Sequence, residues 1–249
     1  MKSFLFALYQ LTRLPLPAVA YDEVSCGRAT AYFPLVGLFL GTVLAALLWA
    51  AKWLFPAQVQ ASLLIAGMVV LTGGMHLDGF MDSLDGLFGG RSREKKLEIM
   101  RDSRAGSFGV IGVFSLLILK YSLFLEMPEQ TLMRVLPVVP ALSRWGISLA
   151  VSAFPYARQE GLGKVYAAFS GLRELILATV IAAVAAGAAL GPQGLWLMGL
   201  GGVITCLLGQ RICRELGGLT GDIYGFICEL LEVLLLLAVY PLSKISSTV

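Results

Sequence analysis

Residues 59–78 read VQASLLIAGMVVLTGGMHLD, twenty positions that carry no formal charge before the closing Asp78. At 1.5 Å per residue, a helix of this length covers the roughly 30 Å hydrocarbon layer of a bilayer. The whole chain shares the pattern, with 57% hydrophobic residues, 14% charged residues and a mean hydropathy of +0.81. These values exclude an ordinary soluble domain. The apolar runs are long rather than short and alternating, which excludes a β-barrel. The sequence therefore predicts an all-α, polytopic transmembrane helix bundle of 6–7 spans, built as one integral-membrane catalytic domain over residues 1–249. The lipid bilayer is its first partner. A formal charge of +3 and 10% aromatics with no basic–aromatic interleaving argue against nucleic acid.

Seven segments are expected, at 29–55, 59–78, 107–125, 132–154, 174–190, 195–208 and 223–242. The second is expected to continue without a break into an acidic helix. Ahead of them, MKSFLFALYQLTRLPLP (1–17) begins like a signal peptide, but Gln10, Thr12 and Arg13 interrupt its apolar run early. It reads better as an N-terminal amphipathic helix at the interface, stopped by Pro15 and Pro17. With seven spans, 14 Lys and Arg fall on one side, against Lys52, Arg134 and Lys244 on the other. The positive-inside rule places the richer side in the cytoplasm.

Residues 73–109, GGMHLDGFMDSLDGLFGGRSREKKLEIMRDSRAGSFG, concentrate acid, base and glycine. Asp78, Asp82 and Asp85 follow an i, i+4, i+7 spacing that puts three carboxylates within about 60° of one helix face. A divalent cation relieves their repulsion, and Mg²⁺ suits carboxylates that also face substrate phosphates. Six cations follow, Arg91, Arg93, Lys95, Lys96, Arg101 and Arg104, in a loop opened by Gly89 and Gly90. Such a loop is equipped to hold a diphosphate and to stabilise the charge that develops when it is split. In a soluble protein the same residues would read as a solvated face with intrahelical ion pairs. At the end of a membrane segment, ionisable groups are functional by default.

The topology returns segment two to the side from which segment seven departs, just after Gly217-Gly218-Leu219-Thr220-Gly221-Asp222. Asp222 and Glu229 stand seven apart on that last helix, with Glu232 three further on. Asp222 is expected at the metal or catalytic site, joined by Glu229. Residues 217–232 thus form a second site segment. Arg144, inside a span, either pairs with an acid such as Asp222 or binds phosphate, and Lys120 snorkels or pairs. His76 is structural or phosphate-facing rather than a ligand. The cysteines Cys26, Cys206, Cys213 and Cys228 have neither zinc-site nor disulfide spacing.

These blocks also resemble a known family. DGFMDSLDG (78–86), Gly89-Gly90, KLEIMRDSR (96–104), Gly106 and Gly109, together with LTRLP (11–15), Ser143-Arg144-Trp145 and GGLTGD (217–222), stand in the order of the cobalamin synthases, the adenosylcobinamide-GDP ribazoletransferases. The resemblance implies a Mg²⁺-dependent, multi-pass enzyme of the bacterial inner membrane with its active site facing the cytoplasm. It would join adenosylcobinamide-GDP to α-ribazole, or to α-ribazole 5′-phosphate, and release GMP. On that reading Asp82 and Asp222 are catalytic, and Asp78, Asp82, Asp85, Asp222 and Glu229 hold Mg²⁺. Arg101, Arg104, Gly89, Gly90 and Arg144 face the substrate phosphates. A homo-oligomer, or association with other corrinoid-pathway enzymes, is left open.

The family is distantly similar to the CDP-alcohol phosphotransferases, the alternative among enzymes. The chain lacks their alanine-arginine pair after the second aspartate and their later GxxxDxxxD, so their division of roles does not transfer. A cation or metabolite transporter would need polar groups on both sides of the membrane. The acids here gather on one.

Overall fold

A computed structural model describes the backbone of residues 1–246 and the side chains of residues 1–241. Lys244, one of the three cations assigned to the poorer side, lies outside the described side chains. The helices in chain order are α1 (Lys2–Leu11), α2 (Glu23–Gly27), α3 (Phe33–Ala51), α4 (Ala57–Thr72), α5 (Met75–Gly89), α6 (Arg93–Ile99), α7 (Ser107–Glu126), α8 (Glu129–Ala153), α9 (Leu162–Phe169), α10 (Leu172–Leu190), α11 (Pro192–Leu216) and α12 (Gly221–Ser246). Among the described residues, six helical stretches are long and apolar enough to cross a membrane, and α4 with α5 makes a seventh bent unit. The chain is an all-α, multi-pass membrane protein. Ahead of the spans, α1 turns Phe6, Ala7 and Leu11 inward and leaves Lys2 and Tyr9 exposed, as an amphipathic helix does.

The middle of the bundle is α8. Its most apolar window is 83% buried, against 22% for α7 and α10. Lipid tails are as apolar as leucine, so spans associate through close packing, and small residues permit it. Gly37 and Gly41 of α3 lie directly on the α8 backbone at Pro140–Ala141 and Leu136–Pro137, where a Cβ would collide. On α10, Ala178, Ala182, Ala185 and Ala186 form the buried face, while Ile176, Val180 and Val184 remain on the outside for lipid. At one end of the bundle Lys52 of the α3–α4 turn meets Glu129 of α8 at 2.8 Å. Exposed Trp49 and Trp53 lie beside it, as an interfacial belt requires.

The expected continuous helix through residue 78 is not formed. Gly73 and Gly74 adopt φ of +67° and +71°, and α5 leaves α4 at 91°. Left-handed backbone is cheap only for glycine, so this pair can end α4 within a run whose other residues favour a helix. The Arg13 N–H donates to the freed Leu71 carbonyl at 2.7 Å, and the Arg13 side chain lies over Gly73. The α1 segment therefore closes the bend. The bend turns α5 away from the α4 axis and packs it against α7 and α12. The sixth segment runs longer than expected, to Leu216, because Arg211 and Arg214 in its last turns face outward.

Candidate active site

The site forms where α5 crosses the start of α12. Gly79 makes the crossing close: a Cβ there would stand 2.9 Å from the Asp222 carbonyl oxygen and 3.1 Å from its Cα. Gly225 does the same for α12, with a would-be Cβ 3.0 Å from the His76 carbonyl oxygen. The rings of Phe80 and Phe226 stack at 5.3 Å beside this contact. Asp78 is thus exposed in the first turn of α5, next to Asp222 in the first turn of α12. The two acidic ends that the topology brought to one side are in contact.

A second strand of chain fixes Asp222. Leu219 N–H donates to Pro155 O and Ala157 N–H to Leu219 O, both at 2.8 Å, so residues 155–157 pair with the GGLTGD turn. Gly218 allows it, since a Cβ would meet Pro155 O at 2.7 Å and Ala157 N at 2.8 Å. This pairing delivers Arg158, whose Nη2 donates to Asp222 Oδ2 at 2.6 Å. Thr220 Oγ1 donates to the same oxygen at 3.3 Å and also accepts the Ile223 N–H, capping α12. The Arg158 Nε is buried without a partner among the described residues. In the sequence Arg158 stands only among the 14 cations of the richer side. The signal that points to it is that Asp222 needs a counter-charge and that both are expected on that side.

Asp82 is half-buried and faces the same acidic group. Its carboxyl is pushed up to about 7, by burial first and then by the negative charges of Asp78, Asp222 and Asp85. Asp85 is turned to another use. Its two oxygens accept the N–H groups of Gly106 and Gly109 at 2.8 and 2.9 Å, capping the start of α7. A carboxylate buried against a helix N-terminus is held by those amides, and this departs from the metal role that its spacing suggested.

Two further groups sit apart from this acidic end, and Arg144 takes the acid pairing that was one of its two expected uses. Glu229 is not beside Asp222: it lies two turns deeper, where Lys120 Nζ donates to it at 2.5 Å and to Glu232 at 2.6 Å. Arg144 is fully buried and pairs with Glu232, with His76 Nδ1 3.4 Å from its Nη2. Two cations and two anions inside the bundle neutralise one another, so neither Glu229 nor Arg144 is free for metal or phosphate.

The basic loop divides similarly. Arg93 Nε caps the end of α11 by donating to Leu216 O at 2.7 Å, Lys96 pairs with Glu215 at 2.5 Å, and exposed Arg104 is bidentate on Asp102. Gly90 serves the approach of α6, since a Cβ would meet Lys96 N at 2.7 Å, and Gly89 makes ordinary contact with Ile99. These glycines make a tight connection rather than a phosphate cradle. Arg101 is exposed and lines a groove of about 570 Å³ with Arg93 and Arg158. Asp222 itself lines a separate cavity of about 260 Å³, together with Asp78 and residues that include Phe33, Ile147, Tyr166 and Tyr224. An acidic group between an arginine-lined groove and an apolar cavity is suited to transfer of a phosphoryl group onto an alcohol.

The chain matches the family model described as cobalamin-5-phosphate synthase over residues 3–240. It is 40% identical over 231 residues to an adenosylcobinamide-GDP ribazoletransferase of Roseiflexus sp. (strain RS-1), covering 92% of this chain and 86% of that relative. It is 37% identical over 242 residues to the enzyme of that name from Acetivibrio thermocellus, covering 96% of this chain and 98% of the relative. The relative from Desulfitobacterium hafniense is 39% identical over 260 residues, with 97% and 98% covered. No solved structure matches the chain. The match over residues 3–240 and the near-full-length agreement with these transferases show that the chain belongs to the cobalamin-5-phosphate synthase family.

Proposed function

We propose that the chain transfers the cobinamide-bearing phosphoryl group of adenosylcobinamide-GDP to α-ribazole or α-ribazole 5′-phosphate. The observation that carries this reading is the meeting of Asp78 and Asp82 with Asp222 across the Gly79 contact, beside the Arg101–Arg158 groove. In the reaction, the acceptor hydroxyl oxygen bonds to the phosphorus next to the cobinamide arm. The bond from that phosphorus to the bridging oxygen breaks, and its electron pair leaves with GMP. The hydroxyl proton goes to Asp222, whose Oδ2 is occupied by Arg158 and Thr220 and whose Oδ1 is left to receive it. Arg158 and Arg101 hold phosphate oxygens.

The residues fit Mg²⁺. The donors are all carboxylate oxygens, and Asp82, raised by burial first, also carries the repulsion of Asp78, Asp222 and Asp85, which a cation would offset. Asp78 and Asp82 would hold the ion, with Asp222 adjacent. Among the described residues no group of three or more acidic, His or Cys side chains is assembled around one metal position, so the ion would take its remaining ligands from phosphate and water oxygens. When bound, Mg²⁺ supplies neutralisation of the phosphate and leaving-group oxygens. The bias of Lys and Arg toward the site end supports a cytoplasm-facing site in the bacterial inner membrane.

The test is GMP release by the membrane-embedded protein. GMP from adenosylcobinamide-GDP only when α-ribazole and Mg²⁺ are present supports the reading. CMP release from a CDP-alcohol overturns it.

A further inference from the structure

The site has two compartments with opposite character, and Asp222 and Arg158 stand between them. The cavity of about 260 Å³ is framed by rings and aliphatic groups from α1, α3, α8, α9 and α12, including Phe33, Ile147, Leu162, Tyr166 and Tyr224. Its only formal charges among the described residues are the carboxylates of Asp78 and Asp222. Such a lining repels a diphosphate and accepts a neutral molecule with an apolar face. Its volume lies just below the roughly 300–1,000 Å³ of ordinary small-molecule sites, enough for a nucleoside and too small for a corrin ring.

The groove on the far side is about 570 Å³ and presents the guanidinium groups of Arg93, Arg101 and Arg158. Two of its glutamates are already matched by cations, Glu94 by Arg93 at 3.7 Å and Glu98 by Lys95 at 2.9 Å, and Glu160 lines it as well. Arg158 keeps a buried Nε–H with no partner among the described residues, a donor that a phosphate oxygen satisfies.

We infer that the apolar cavity is the acceptor subsite, binding the nucleoside alcohol with its base against Tyr166 and Tyr224 and its hydroxyl toward Asp222. The diphosphate of the donor lies in the arginine groove. The assignment rests on the reaction proposed above. It makes the cavity walls, rather than the aspartates, the determinants of which base is accepted. It also makes the Asp222–Arg158 pair the place where the two substrates meet.

Filling the cavity tests this without touching a carboxylate. Leu162 is 44% exposed at the start of α9, so Leu162→Trp adds bulk at little cost to the core. The expected result is a KM for α-ribazole raised about tenfold or more, with the KM for adenosylcobinamide-GDP within about twofold. Arg101→Ala should show the reverse. If Leu162→Trp is lost from membranes, Gln10→Trp narrows the same cavity from α1 and carries the same expectation. A variant that fills the cavity and leaves the acceptor KM unchanged, or that raises the donor KM instead, overturns the assignment while leaving the reaction standing. Wild-type protein that never turns over α-ribazole overturns the reaction itself.

Discussion

Replacing Gly79 by alanine adds one methyl group and separates the two halves of the site. The new Cβ would lie 2.9 Å from the Asp222 carbonyl oxygen, 3.1 Å from its Cα and 3.4 Å from its carbonyl carbon, where ordinary contact begins at 3.4 Å. All three neighbours are backbone, so no side chain can swing aside, and α5 and α12 must part by about half an ångström or more. Overpacking of this kind costs about 1–3 kcal/mol. The effect on turnover is larger than on folding, because displacement of about 1 Å between reacting groups costs on the order of 10²-fold. Gly199→Ala is the control: it lies in α11 with nothing within 4 Å of its Cβ, and it should leave activity unchanged. The assay is GMP release by membranes matched for protein content, with kcat and KM separated. A fall in kcat of about 30–100-fold with both KM values nearly unchanged is expected. Wild-type kcat in a stably inserted Gly79→Ala protein would refute the claim that this crossing sets the distance from Asp78 and Asp82 to Asp222.

Asp82→Asn should lower kcat by about 10²–10³-fold and abolish stimulation by Mg²⁺, and full Mg²⁺-dependent turnover in the inserted variant would remove Asp82 from the site. Asp85→Asn should cost about 1–2 kcal/mol of stability through the weakened α7 cap while moving the Mg²⁺ concentration for half-activity by less than about twofold. A large Mg²⁺ shift would return Asp85 to the metal. Glu232→Gln leaves Arg144 and Lys120 facing one carboxylate, which should cost about 3–5 kcal/mol. Thermal unfolding in detergent checks it, and an unchanged midpoint would mean the buried charges are neutralised another way.

The membrane fold was legible because span length and apolar content are local properties, and residues 107–125, which become α7, display both. The meeting of the two acidic ends was also legible, since counting crossings fixes which helix ends share a side. The direction of each acid was not. Spacing of i, i+4, i+7 placed Asp78, Asp82 and Asp85 on one stripe, but the amides that claim Asp85 lie 21 and 24 residues away, at Gly106 and Gly109. Arg158 and Asp222 are 64 residues apart and are joined only through the pairing at Leu219. The bend at Gly73-Gly74 was hidden for a different reason: two glycines within an apolar run read as a continuous span unless a strand such as Leu11–Arg13 holds the turn open. Glu229 drew the metal reading because its partner Lys120 comes from another helix, and helical register says nothing about neighbours.

The buried charges of Lys120, Arg144, Glu229 and Glu232 also constrain how the protein is made. Lys120 belongs to α7 and Arg144 to α8, whereas both counter-ions belong to α12, and Glu229 is synthesised 109 residues after Lys120. Until α12 is made, α7 and α8 each hold a cation without these counter-ions, at a cost of about 2.5–3.5 kcal/mol apiece on insertion scales. Each side chain can reach toward the headgroups in the meantime. A chain stopped before α12 therefore keeps two uncompensated charges. The helix that supplies Asp222 to the site is thus also the one whose arrival neutralises the interior of the bundle.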